Sequence, residues 1–92
     1  MNVDKAEIGD KVKKVFMDLF QIKESKWQDG YDKEDFFSTK IGLLPGDVLA
    51  YLYAVEREFG LQVPASDIIE GKFNTLFNVT DIIYDALCTE GQ

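Results

Sequence analysis

Residues 42–60 read GLLPGDVLAYLYAVEREFG, and this stretch decides the fold. The Pro-Gly-Asp sequence at 45–47 is typical of a helix start, because the fixed φ of proline suits the first turn and a carboxylate stabilises the positive end of the helix dipole. Gly60 is a typical C-terminal stop. Residues 48–55 carry no charged or amide side chain. The sequence therefore predicts an apolar central helix through residues 48–58, which is either buried on most sides or in contact with a partner.

This central helix has more apolar residues than one buried face requires. Spacings of three and four residues predict an inward stripe. Its members are Leu49, Leu52, Val55 and Phe59, and Tyr51 widens it. The apolar residues left for an exposed flank include Val48, Tyr53 and Ala54.

The chain before residue 42 is predicted to form a helix and a long loop. Apolar residues recur at helical spacing over residues 5–20, with Asp4 as the N-cap; the stripe is Ile8, Val12, Val15, Phe16, Leu19 and Phe20. This periodicity is absent from residues 21–44, so we expect a loop with a short helical turn around residues 33–37. Four aromatic residues are expected to anchor the loop on the helices: Trp27, Tyr31, Phe36 and Phe37.

Residues 61–64 are predicted to be an extended linker, because the residue before a proline is biased away from helix. A short third helix is predicted over about residues 66–70, opened by Ser66 or Ala65, and Asn78 is predicted to cap a last helix over residues 79–87. Three apolar residues between these helices are expected to continue the core: Phe73, Leu76 and Phe77. The chain is thus predicted to be a single all-α domain, residues 1–92.

Composition and charge narrow the classes of function. The net charge is −7, and residues 46–92 hold eight acidic and two basic residues. An acidic surface repels phosphate backbones and anionic lipid, so we expect no nucleic-acid or membrane binding and favour docking on basic patches of proteins. The N-terminus has no signal-peptide pattern. The only cysteine, Cys88, has no partner for an internal disulfide, which favours a cytoplasmic protein.

The sequence offers no catalytic or metal-binding pattern. Histidine is absent, so Cys88 has no imidazole base to activate its thiol. The commonest metal ligand is missing for the same reason. There is no Gly-rich phosphate loop. Glu56 and Glu58 are predicted to lie on different sides of the central helix as surface charge. We therefore expect a protein that is not an enzyme and holds no metal.

The order and spacing of these elements resemble the acyl carrier proteins. Phe37 followed by Ile41-Gly42 is similar to the Phe-x-x-x-Leu-Gly loop of that family. Glu-Arg-Glu-Phe-Gly at 56–60 is similar to the end of its second helix, and Leu-Gln-Val-Pro at 61–64 to its Ile-x-Ile-Pro continuation. The resemblance implies an acyl-carrier-like four-helix bundle with a long loop between helices one and two and a short third helix.

In that register, the Asp-Ser-Leu signature of the carriers falls on Leu-Pro-Gly at 44–46. The family attaches 4′-phosphopantetheine to the serine of that signature, whereas Pro45 has no hydroxyl. The resemblance therefore implies that no cofactor is attached. The alternative is a divergent acyl or peptidyl carrier that holds phosphopantetheine on Ser38, which would need a shifted register.

The exposed flank of helix two is acidic in carriers and meets basic grooves of enzymes. The corresponding positions here are more apolar and are the candidate partner-binding residues: Asp47, Ala50, Tyr53, Ala54 and Arg57. An exposed apolar patch with a tyrosine often marks a protein contact. The alternative is that Tyr53 only covers the long loop.

The stretch Leu-Leu-Pro-Gly-Asp-Val-Leu at 43–49 also resembles a narrower group, the serine-less acyl-carrier-related proteins of bacterial peptide maturation systems. This resemblance implies an accessory role in modifying a ribosomally made peptide, alongside a maturase such as a radical enzyme. We expect a monomer that binds a protein or peptide partner, such as a peptide-modifying enzyme.

Overall fold

The computed structural model describes residues 4–90, and within this range it is all-helical, with four α-helices, two 3-10 turns and no strand. The α-helices are α1 (Lys5–Leu19), α2 (Pro45–Phe59), α3 (Ala65–Ile69) and α4 (Leu76–Glu90), and the 3-10 turns are Glu24–Lys26 and Tyr31–Lys33. Helix α1 packs against both α4 and α2. The predicted all-α class, with a long connection before α2 and a short third helix, is confirmed.

Helix α1 begins where the sequence predicts. The Asp4 carboxylate accepts a hydrogen bond from the Ala6 backbone N–H at 2.9 Å, which satisfies one of the free donors of the first turn. The predicted stripe is buried at Ile8, Val12 and Phe16, but Leu19 is exposed and Met17 is buried in its place. Val15 and Phe20 are half-buried against the core, so the stripe reaches Phe20 as predicted, with Leu19 as the exception.

Tyr51 of α2 lies at the centre of the core. Its ring is fully buried, with its centroid 5.3 Å from that of Phe16, 5.7 Å from Phe36 and 5.8 Å from Phe73. Its hydroxyl donates a hydrogen bond to the Val12 carbonyl oxygen of α1 at 2.8 Å. Because an unpaired buried hydroxyl would cost about 1–3 kcal/mol, this bond is what lets a tyrosine occupy the position.

The inward face of α2 is rotated from the predicted one. Tyr51, Leu52 and Val55 are buried, and Val48, predicted to be exposed, is half-buried against the core. Leu49, predicted to face inward, is 48% exposed. The reason is that burying the large Tyr51 ring fixes the helix rotation and turns position 49 away from the core.

The end of α2 fits its sequence closely. Gly60 has φ +65° and ends the helix, as predicted, with its N–H bonded to the Glu56 carbonyl at 2.9 Å. The Glu56 side chain is half-buried, and its carboxylate accepts a hydrogen bond from the Val63 N–H at 2.8 Å. The interpretation of Glu56 as surface charge is therefore wrong, because this residue ties the linker to α2.

Helix α4 begins one turn earlier than the sequence predicts. The hydroxyl of Thr75, rather than the side chain of Asn78, caps it by accepting from the Asn78 N–H at 3.0 Å. Phe73 and Leu76 are buried as predicted, whereas Phe77 is 50% exposed. The prediction for Phe77 is wrong because the earlier start places it on the helix side away from Val79 and Ile83, which are buried.

Three of the four loop aromatics anchor the loop. Phe36 is buried, and its N–H donates to the Asn74 carbonyl at 2.8 Å. Trp27 and Tyr31 are half-buried and pack edge to face, with centroids 5.3 Å apart. The prediction for Phe37 as an anchor is wrong, because it is about half exposed. The turn predicted at residues 33–37 is found two residues earlier.

The last two features of the fold concern the third helix and the hydropathy of the helices. Helix α3 begins at Ala65, one of the two predicted start residues, and ends at Ile69. Within the described range, no helix combines the length and the hydropathy that crossing a bilayer requires.

Candidate partner-binding site

The N-terminus of α2 is capped by residues of its own first turn. Pro45 is the first helical residue and Leu44 is the N-cap. Because the Leu44 side chain has no acceptor, only one half of a capping box exists: the Asp47 carboxylate accepts from the Leu44 N–H at 3.0 Å. The turn therefore presents a pyrrolidine ring, with no hydroxyl at position 45.

An apolar groove of about 410 Å³ lies beside this turn. It runs between the first two turns of α2, the loop at residues 35–37, helix α3 and residues 71–74. Leu52 and Phe73 are buried beneath it. Three large side chains line it while roughly half exposed to solvent, namely Phe37, Leu49 and Ile68. Exposed apolar side chains around a concave surface are typical of a protein or ligand contact.

The five residues predicted to bind a partner do not form one uniformly exposed flank. Ala50, Tyr53 and Arg57 are exposed, whereas Asp47 and Ala54 are half-buried. Asp47 is also engaged with the Leu44 N–H. Tyr53 is 55% exposed, as predicted.

The sequence missed the apolar residues beside Tyr53. Leu49 precedes Tyr53 by four residues, so the two side chains are neighbours on one side of the helix. Leu49 also lines the groove, and so joins the exposed Tyr53 to it. We call Leu49, Tyr53 and the groove residues Phe37 and Ile68 the α2 face. In the sequence, this face is indicated by the surplus of apolar residues in α2. Spacing alone could not assign each of these residues correctly to the buried or the exposed side.

Ser38 lies in a tight turn of the long loop. Its hydroxyl is half-buried and accepts from the Ile41 N–H at 3.4 Å, and its own N–H donates to the Asp35 carbonyl at 2.9 Å. The Gly42 N–H in turn donates to the Ser38 carbonyl at 2.6 Å. The alternative attachment site is therefore part of a turn and is seven positions before the start of α2.

The titratable groups around α2 provide no nucleophile with a base. Burial raises the pKa of Tyr51 well above its ordinary value, so this hydroxyl stays protonated. Cys88 is half-buried on α4. In the part of the chain that the structure describes, no three His, Cys, Asp or Glu side chains are grouped to hold a metal ion. The chemistry that the α2 face can support is the burial of apolar side chains.

Comparison with known proteins identifies no relative: no protein-family model, no curated protein and no solved structure matches the chain.

Proposed function

We propose that this chain is a non-catalytic, acyl-carrier-related protein that lacks the phosphopantetheine serine and binds a protein or peptide partner. Its setting is the maturation of a ribosomally made peptide, and its partner is a peptide-modifying enzyme or the peptide itself. The proposal combines the resemblance over residues 37–64 with the arrangement of side chains around the start of α2.

The observation that carries the proposal is the α2 face itself. A half-exposed leucine and a half-exposed tyrosine lie one turn apart on α2 beside an apolar groove of about 410 Å³. Full burial of a large apolar side chain is worth about 1.5–3 kcal/mol, and a half-exposed one forgoes roughly half of that. Tyrosine is also a favoured anchor in protein interfaces. A binding role accounts for this exposure in a domain whose core already contains Tyr51, Leu52 and Val55.

The start of α2 supports binding rather than group transfer. Position 45 is a proline, so the helix start offers no hydroxyl to esterify. The Asp47 carboxylate is occupied by the Leu44 N–H. A phosphopantetheine arm would therefore have to be attached elsewhere, and Ser38 is the residue to test.

Photo-crosslinking tests the binding role and identifies the partner in the same experiment. A photoreactive phenylalanine analogue replaces Leu49 or Tyr53, and a matched control places it at the exposed Lys11 of α1. In cells that produce the chain natively, we expect one discrete crosslinked product from the two α2 positions. Mass spectrometry should identify it as a peptide-modifying enzyme or a precursor peptide. Equal crosslinking from Lys11, or a captured protein with no link to peptide modification, contradicts the proposal.

Intact mass spectrometry tests the alternative carrier function. The protein is incubated with coenzyme A and a broad-specificity phosphopantetheinyl transferase, with a conventional carrier protein as the positive control. We expect no change in mass. A gain the size of phosphopantetheine that Ser38→Ala abolishes would establish the carrier alternative instead.

A further inference from the structure

A second groove, of about 610 Å³, lies between the N-terminal half of α1, the loop at residues 27–32 and the first turns of α4. It shares no lining residue with the groove beside α2. Gly9 of α1 lies at its base, where an added Cβ would be 3.7 Å from the Thr80 side chain of α4. This close approach of the two helices forms the bottom of the groove.

The walls of the groove carry large apolar side chains. Trp27 is half-buried and packs against Tyr31, with ring centroids 5.3 Å apart. Phe77 reaches the groove from α4 and is 50% exposed, beside the buried Leu76. An aromatic ring in the first turn of a helix, with half of its area in water, is a suitable anchor for an apolar side chain of another molecule.

The charges around these rings favour a cation. The groove is lined by four aspartates and two lysines, which gives it a net charge of −2. Lys5 is paired with Asp81. The other three aspartates, Asp10, Asp29 and Asp32, are exposed and take part in no ion pair within residues 4–90. Their field attracts a positive group and repels a phosphate or a carboxylate.

The chain already places one cation against the aromatic wall. The Lys13 ammonium lies 4.6 Å from the centroid of the Trp27 ring, a distance at which the ring quadrupole attracts it. Lys13 thus occupies this face of Trp27 itself, so the groups that attract a positive side chain of another molecule are the exposed Asp10, Asp29 and Asp32. A metal ion is a poorer fit, because no metal-binding group is found among the described residues and an apolar wall supplies no ligands.

We propose that this groove binds a short segment of a partner protein in which lysine or arginine alternates with bulky apolar residues. The apolar side chains pack on Phe77 and Trp27, and the positive side chains meet Asp10, Asp29 and Asp32. This site is independent of the α2 face, so one chain can hold two partners at once.

The test uses a short synthetic peptide that alternates lysine and leucine, with the full chain, at about 0.15 M salt, where charges beyond about 8 Å are screened. Trp27 is the only tryptophan of the protein, so its fluorescence reports on this groove alone. We expect a saturable change in Trp27 emission. Two control peptides, one with glutamate for lysine and one with serine for leucine, should give none.

Matched variants separate the groove from the general negative charge of the chain. Asp29→Asn with Asp32→Asn should weaken peptide binding by about five- to tenfold, since each exposed ion pair contributes only a modest factor. The control pair Asp18→Asn with Asp85→Asn makes the same change of net charge at exposed positions outside the groove and should leave binding within about twofold of the starting protein. Phe77→Ala should also weaken binding while the folded far-UV circular dichroism spectrum is retained.

Three outcomes would overturn the proposal. They are the absence of any saturable response, equal losses in the two aspartate pairs, and equal binding of the lysine–serine peptide. A nuclear magnetic resonance titration provides a fourth: chemical-shift changes at Leu49 and Tyr53 with none at Trp27 would show that the peptide uses the α2 face, which also contradicts a separate site.

Discussion

Tyr51 and Tyr53 are two residues apart on one helix and have opposite environments. Tyr51 is fully buried, touches three phenylalanine rings and donates a hydrogen bond to Val12 of α1. Tyr53 is 55% exposed beside the half-exposed Leu49. The same side chain therefore serves the core at one position and is available to a partner at the other. The rotation of the helix, which Tyr51 fixes, decides between these two roles.

Replacing each tyrosine by alanine should give the largest difference between them in the free energy of unfolding. Tyr51→Ala removes a buried ring and its hydrogen bond, and we expect a loss of about 3–5 kcal/mol in the free energy of unfolding. Tyr53→Ala should change it by no more than about 0.5 kcal/mol. Urea denaturation followed by circular dichroism measures both. Similar losses for the two variants would mean that Tyr53 is also part of the core.

A second pair of residues tests the same rotation with aliphatic side chains. Leu52→Ala leaves a cavity in the core and should cost about 2–5 kcal/mol, whereas Leu49→Ala should cost less than about 1 kcal/mol because its side chain is already half exposed. Urea denaturation again provides the measurement. A larger loss for Leu49→Ala than for Leu52→Ala would show instead that Leu49 faces the core, as spacing alone predicts.

The rotation of α2 shows what sequence could and could not predict. The limits of α1 and α2 followed from local chemistry, because Asp4, Pro45 and Gly60 act within one turn of the helix ends. The exact rotation did not. The spacing puts Tyr51 inward and Tyr53 outward correctly, but it places Leu49 in the core and Val48 outside, and the two are exchanged. The rotation depends on non-local packing, including the bond from Tyr51 to Val12, 39 positions away.

The start of α4 and the two grooves escaped prediction for related reasons. Thr75 and Asn78 are both good N-caps, and the choice between them depends on the burial of Phe73 and Leu76. Each groove is lined by residues from at least three separate segments. Such a surface has no continuous pattern in the sequence, so only single members such as Tyr53 could be predicted.

Removing only the Tyr51 hydroxyl gives a smaller, pH-dependent effect. Tyr51→Phe should cost about 1 kcal/mol near neutral pH through the lost hydrogen bond. Burial raises the pKa of Tyr51 in the folded protein. The protonated folded state is therefore favoured below the unfolded pKa of about 10. That stability is lost as the pH rises above about 10 towards the folded pKa, by up to about 1.4 kcal/mol per pH unit.

Unfolding free energies measured between pH 9 and about 11 check this linkage. The Tyr51→Phe variant should lose stability less steeply with rising pH than the unmodified protein. Tyr53→Phe is the matched control, because it removes an exposed hydroxyl from the same helix. If Tyr51→Phe leaves the alkaline slope unchanged, the buried hydroxyl is not the group that titrates.

The central claim is that the α2 face binds a partner while the opposite side of the helix holds the fold. The most direct measurement is isothermal titration of Tyr53→Glu with the partner identified by crosslinking, together with its thermal unfolding. Lys11→Gln at an exposed position of α1 lowers the net charge by the same one unit and is the control for the change of charge. We predict that Tyr53→Glu weakens binding by about tenfold or more, as for an interface anchor, with its melting temperature unchanged. Undiminished binding, or a large fall in melting temperature, would contradict the claim.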